Sequence, residues 1–190
     1  MCSSDLYLFW LPSYLGAKYE LNLTSWETPA GALALASIYL ISDVGSIAGG
    51  WMSGRFMKMG MSVNKARKLT MLISAFFVLP IVFVTQFDNL WACVAVIGVA
   101  AAAHQAFSAT LYTLPSDLVP RFAVGSVIGI GGTVGAIGGM VFTYYIGKVL
   151  PPDAGTGASY APLFIAAGAA YFLALLSIQL LTPSLKRAEI

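Results

Sequence analysis

Asp43 is the residue best placed for chemistry. It stands inside an apolar stretch, Ala30–Met52, with no other charge from Gly31 to Ser42 or from Val44 to Gly54. A carboxylate at the centre of a membrane-spanning helix costs roughly 2.5–3.5 kcal/mol on insertion scales unless it is hydrated or partnered. Loss of water favours the protonated acid, so a carboxyl group in this setting is a proton-carrier candidate. A structural hydrogen bond to a helix end or to a distant cation is the alternative reading. A second group lies in Leu90–Leu114. His104, Ser108 and Tyr112 recur at i, i+4, i+8 and are expected to share a helix face, with Gln105 beside His104 and Phe107 at the border. Hydrogen-bond donors, acceptors and an aromatic wall suit a hydroxylated or anionic ligand, and histidine is the side chain that titrates near neutral pH. The plainer reading gives His104 one interhelical hydrogen bond and puts Tyr112 in an interfacial belt. Tyr7, Trp10 and Tyr14 are further aromatic candidates, for ligand contact or for packing.

Catalytic and metal chemistry find little footing. Ser108 and His104 are one turn apart on one helix, a poor geometry for a nucleophile, its base and an orienting third group. No His-Glu-x-x-His, Gly-x-Ser-x-Gly or Walker loop occurs. With one His, and Cys2 and Cys93 far apart, there is neither a zinc-ligand spacing nor a disulfide framework. No cofactor is expected, and no basic stripe points to nucleic acid.

The elements that must position these residues are apolar segments. Six are read, at about 7–19, 30–52, 69–86, 90–114, 123–149 and 160–181. Crossing a hydrocarbon core near 30 Å takes about 20 helical residues; the first segment falls short and the third sits near the limit. Hydrophobic residues make up 58% of the 190 and charged residues 9%, against roughly 25% charged in soluble domains. The chain reads as an all-α polytopic membrane protein. Met1–Leu6 (MCSSDL) reads as translated adapter sequence rather than a native leader, which would place a truncation inside the first helix; a genuine short leader is the alternative.

Charge orients the segments. Arg55, Lys58, Lys65, Arg67 and Lys68 lie between the second and third, Arg121 between the fourth and fifth, and Lys186 and Arg187 after the sixth. The other side holds Lys18 and Lys148 with Glu20, Glu27, Asp88 and Asp153. This asymmetry puts the basic end and the 184–190 tail in the cytoplasm. The third segment, with Pro80 as an expected kink, and the sixth lack a polar stripe and are expected to face lipid. The others look toward something polar, in a 3+3 order that suggests two three-helix inverted repeats. Gly131, Gly135 and Gly139 are expected to form a close-packing seam, static or sliding.

Specific runs carry a family resemblance. Gly49–Lys68 (GGWMSGRFMKMGMSVNKARK) resembles the loop between the eighth and ninth helices of major facilitator transporters, although Ser53-Gly54-Arg55 lacks the acid usual in that motif. FWLPSYL (Phe9–Leu15), SVNKARK (Ser62–Lys68), AAAHQAFSA (Ala101–Ala109) and AVGSVIGIGGTVGAIGGM (Ala123–Met140) resemble the anion:cation symporter branch, most closely bacterial hexuronate transporters. That branch usually has Trp where Phe107 stands. The resemblance covers Tyr7 to about Pro183. It implies the C-terminal six-helix half of a twelve-helix inner-membrane carrier that takes up an organic anion with protons by alternating access. His104, Gln105, Phe107, Ser108, Tyr112 and Tyr7 would line the substrate wall, with Asp43 as the proton-coupling candidate. Arg55, Lys65, Arg67 and Lys68 would form a gating loop or an anchor on anionic lipid. The partners implied are the anion, protons, the bilayer and an N-terminal six-helix half holding the main substrate arginine. No Arg or Lys lies deep within the spans here, Lys18 and Lys148 standing at span ends, which agrees with that division. A fragment alone would not transport. Related organic anions as substrate, an assembly subunit without transport, or a membrane enzyme built on Asp43 and His104 are the alternatives.

Overall fold

The computed structural model describes residues 11–19, 29–149 and 161–183. Tyr7, Trp10, the 1–6 leader and the 184–190 tail lie outside the described residues. Among these residues six α-helices follow in order: α1 (Leu11–Tyr19), α2 (Ala30–Lys58), α3 (Val63–Val78), α4 (Leu90–Leu118), α5 (Arg121–Val149) and α6 (Ala161–Leu181). A 3₁₀ segment, Leu79–Gln86, continues α3. Among the described residues there is no strand, and five helical stretches are long and apolar enough to cross a membrane.

Local chemistry moves several boundaries from those expected. The basic stretch between the second and third spans is almost entirely helical, not a loop. Arg55 and Lys58 close the last turn of α2, and Lys65, Arg67 and Lys68 lie on α3, which leaves Met59–Ser62 as the connection. Gly60 makes this short turn possible. At φ +88° it adopts the left-handed conformation, so Met61 N–H reaches the Phe56 carbonyl at 3.2 Å and Gly60 N–H the Met57 carbonyl at 3.0 Å, the paired closure of a Schellman motif. The Ser62 side chain then caps α3 by accepting from Lys65 N–H. Pro80 does not simply kink a helix; the chain tightens into the 3₁₀ segment around it. Pro115, by contrast, is carried inside α4, which runs on to Leu118. Hydroxyls there supply extra bonds to backbone carbonyls: Thr113 Oγ1 donates to Thr110 O at 2.6 Å and Ser116 Oγ to Thr113 O at 2.7 Å. At the opposite end Asn89 caps α4, accepting from Trp91 N–H at 2.9 Å and Ala92 N–H at 3.2 Å.

The helices pack around α4. α2 lies along it over most of its length, α3 sits beside both, and α6 packs on α3 and the 3₁₀ segment. The third member of each helix triplet therefore meets the other. α5 touches α4 over a short stretch and is otherwise exposed. α1 is fastened to the 3₁₀ segment: Lys18 Nζ donates to the carbonyls of Thr85 at 2.8 Å and Phe87 at 2.7 Å, and Tyr19 OH to that of Phe87 at 2.7 Å. These side chains supply donors to carbonyls where regular helix has ended.

The glycine seam falls elsewhere than expected. Gly131 and Gly135 line an apolar space of about 430 Å³ between α4 and α5, and a Cβ at Gly131 would meet nothing within 4 Å. The close approach is instead at Gly45 and Gly49. A methyl group at Gly45 would run into the Ala102 backbone, and one at Gly49 would sit 2.6 Å from Ala106 Cα. Those two glycines let α2 and α4 meet backbone to backbone.

Candidate functional site

The α2–α4 contact decides which side chains share a surface. Ser42 Oγ lies 3.5 Å from the Ala101 carbonyl, Gly45 meets Ala102 and Gly49 meets Ala106. One intervening span, α3, makes α2 and α4 run in the same direction. For two parallel right-handed helices in contact, advancing one residue on one and retreating one on the other turns both side chains to the same side. From the contact residues of α2, one step forward gives Asp43, Ser46 and Gly50. From Ala102 and Ala106, one step back gives Ala101 and Gln105. The opposite steps give Ile41, Ala48 and Ala103, which together with Ile73, Ser74 and Phe77 of α3 line a crevice. The polar side of the α2–α4 pair is thus the side away from α3.

That side carries two stripes. On α2, Tyr39, Asp43 and Ser46 are exposed at i, i+4, i+7, and on α4 Gln105 and Ser108 are half-buried and Tyr112 is exposed. The neighbouring face of α2 holds Leu33, Leu40, Val44, Ile47 and Trp51, all exposed, as suits a lipid-facing surface. Asp43 therefore belongs to a polar and small-residue face and not to the apolar one. Tyr39 and Ser46 join it by position; their one-turn spacing around Asp43 was the signal in the sequence.

The structure separates the residues expected to act together on α4. His104 is 5% exposed and its Nδ1 lies 2.7 Å from the Tyr171 hydroxyl of α6. Phe107, also buried, meets the Tyr171 ring edge-on at 5.3 Å between centroids. Both point into the helix bundle, while Gln105, Ser108 and Tyr112 lie at its surface. The physical reason is rotational: each four-residue step overshoots a turn by about 40°, so i and i+8 differ by about 80°. Tyr14 is likewise buried, with its hydroxyl donating to the Val84 carbonyl at 3.2 Å and its ring edge-on to Phe164. Tyr171 carries no signal in the sequence, because it stands in a segment with no polar periodicity.

At the basic end, Arg67 ties three helices together. Its Nε donates to Asp117 Oδ2 of α4 at 3.1 Å, and its Nη1 to Ser53 Oγ of α2 at 2.9 Å. This is the one ion pair among the described residues. Lys68 Nζ donates to Gln179 Oε1, Thr182 O and Pro183 O, which caps the end of α6. Arg55 and Lys65 are exposed. Asp117 carries no signal in the sequence, because only its fold partner, 50 residues away, gives it a role. No three His, Cys, Asp or Glu gather into a metal-binding group among the described residues.

Comparison with known proteins bears on this arrangement. The family model described as Major Facilitator Superfamily matches residues 1–143. The chain belongs to that family. Among its relatives, a protein named probable anion transporter 1, chloroplastic, from Oryza sativa subsp. japonica is 30% identical over 146 residues, 75% of this chain and 26% of that protein. The hexuronate transporter of Escherichia coli (strain K12) is 25% identical over 141 residues, 74% of this chain and 32% of the relative. A D-galactonate transporter of Escherichia coli O6:H1 is 24% identical over 181 residues, 95% of this chain and 40% of the relative. The chain thus spans between about a quarter and two fifths of the length of these curated relatives. It is a multi-pass membrane protein of a facilitator family whose reported relatives are named as transporters. In this facilitator chain the two stripes of the α2–α4 surface offer hydroxyls, an amide, a carboxyl group and two aromatic rings, and no cation.

Proposed function

We propose that this chain is the C-terminal six-helix half of a secondary transporter that moves an organic anion with protons, and that the anion is a hexuronate such as glucuronate or galacturonate. The observation that carries the reading is the pair of polar stripes, Tyr39-Asp43-Ser46 and Gln105-Ser108-Tyr112, on the side of the α2–α4 pair away from α3. In the alternating-access mechanism these stripes form one wall of a central cleft, and an N-terminal half closes it from the other side. Gln105 and Ser108 hydrogen-bond substrate hydroxyls. Asp43 takes and releases the coupled proton. His104 and Phe107 stand behind the wall and hold α4 on α6. Because a carboxylate ligand calls for a charge-assisted partner and these stripes hold no Lys or Arg, the cation comes from the other half, and this chain alone does not transport. The basic end lies on the cytoplasmic side of an inner membrane, where Arg67 locks the ends of α2, α3 and α4 and exposed Arg55 meets the other half at the inner gate.

The relatives named for phosphate and ascorbate transport keep a broader anion range in view, so the test includes several substrates. Radiolabelled glucuronate, galacturonate and galactonate uptake is measured in cells expressing the whole carrier. Gln105→Ala removes one hydrogen bond to a substrate hydroxyl and raises KM about two- to tenfold, since a neutral hydrogen bond contributes about 0.5–1.5 kcal/mol. Asp43→Asn abolishes accumulation driven by a pH gradient while counterflow exchange of substrate persists. Leu40→Ala on the apolar face changes neither. Normal accumulation by both stripe variants would sink the site; preference for galactonate would change the substrate and leave the site standing.

A further inference from the structure

A second site lies on the flank of the bundle away from the polar stripes. α3 and α6 meet there, with Phe76 edge-on to Phe172 at 5.5 Å. Toward the basic end they flank an open groove of about 660 Å³, walled by Leu69, Leu72, Leu175 and Leu176 and rimmed by Lys65 and Lys68. That volume is within the range of about 300–1,000 Å³ typical of small-ligand sites.

Among the described residues no acid compensates the charge at the rim. Lys68 Nζ is held by three neutral oxygens, Gln179 Oε1 at 2.8 Å, Thr182 O at 2.6 Å and Pro183 O at 3.1 Å. They fix its position without cancelling its charge. Lys65 stands one turn before it and is exposed. Neither α3 nor α6 contains an Asp or Glu, and Asp117, the one acid at this end among the described residues, is taken by Arg67. Below the rim the outward faces are hydrocarbon, with Phe76, Phe77, Leu173, Leu176 and Leu180 exposed. Two positive charges at one end of a leucine-walled cleft, on a flank suited to lipid, match an amphiphile with an anionic head. Basic pockets between membrane helices bind anionic headgroups, and each buried methylene of a chain adds to the affinity.

We propose that this groove seats an anionic phospholipid, with its phosphate against Lys65 and Lys68 and an acyl chain between α3 and α6. Bound there, the lipid fills the groove beside the Lys68 and Asn64 bonds that already join α3 to the end of α6. The site rests on the membrane-spanning arrangement and not on the transport reading, so uptake and lipid retention are scored separately.

Native mass spectrometry of the whole protein in mild detergent tests it, with phosphatidylglycerol or phosphatidylcholine titrated in. The expected result is preferential retention of phosphatidylglycerol. Lys65→Gln, which leaves the Lys68 hydrogen bonds untouched, reduces retention about fivefold, the share of one lysine near an anionic headgroup. Leu72→Trp, which fills the cleft, reduces it without altering charge. Millimolar inorganic phosphate displaces nothing. Equal retention of the two lipids, or no change with either variant, overturns the proposal. Displacement by inorganic phosphate does so too, because it marks a site for a free anion.

Discussion

Replacing Gly49 by alanine tests the framework on which both stripes depend. A Cβ there lies 2.6 Å from Ala106 Cα and 2.8 Å from both Ala106 Cβ and its carbonyl oxygen. Unstrained carbon contacts begin near 3.5 Å, so α2 and α4 must separate by close to ~1 Å. The obstructing atoms are mainly backbone and cannot rotate away. Overpacking of this kind costs about 1–3 kcal/mol. The next residue is the control: a Cβ at Gly50 meets nothing within 4 Å, and Gly→Ala in an open helix position gains up to ~1 kcal/mol. Gly98 is intermediate, since its Cβ would press on the end of the Ile41 side chain at 2.9 Å. A chain of this size shifts its melting temperature by roughly 2–4 °C per kcal/mol, so Gly49→Ala and Gly50→Ala should differ by at least about 2 °C. Cys93 is a free thiol buried in α4; its labelling by a thiol-reactive dye during a thermal scan, in a Cys2→Ser background, reports unfolding. A Gly49→Ala protein that melts with or above the Gly50→Ala protein would refute the α2–α4 seam, and with it the argument that puts Asp43 and Gln105 on one side.

Three further expectations follow from named contacts. The Arg67–Asp117 pair is partly buried and shared with Ser53, so a double-mutant cycle with Arg67→Gln and Asp117→Asn should give a coupling of about 1–3 kcal/mol; additive effects would show that the ion pair does not hold the basic end. Lys18→Met removes two donors from the Thr85 and Phe87 carbonyls; faster hydrogen exchange over 11–19 is expected, and unchanged exchange would remove Lys18 as the fastening of α1. Tyr171→Phe deletes the hydroxyl facing His104 Nδ1 and should lower stability by about 1 kcal/mol with no change in substrate KM; a raised KM would return His104 to the binding wall.

The spans were legible because a hydrocarbon solvent demands long uninterrupted apolar runs, and Ala30–Met52 announces itself by composition alone. Their ends were less so. α2 continues through Arg55 to Lys58 and α3 starts at Val63, since helix persists into the polar interface where hydropathy no longer marks it. The Gly60 closure and the Ser62 cap set those limits, and each is a local hydrogen-bond arrangement that a hydropathy profile does not register. On α4 the polar types were legible while their directions were not: His104 and Gln105 are adjacent in the chain and face opposite environments.

Composition and charge order by themselves determined that this is an all-α membrane protein, where it carries its basic end and which few polar groups lie deep in its spans. Those properties come from the solvent, and each residue answers to the bilayer alone. Only the tertiary structure decided that Gly45 and Gly49, not the glycines of α5, bring two backbones together, that His104 turns to Tyr171 and that Arg67 finds Asp117. Each of those depends on the angle between helices and on partners tens of residues away, and helical periodicity alone specifies neither.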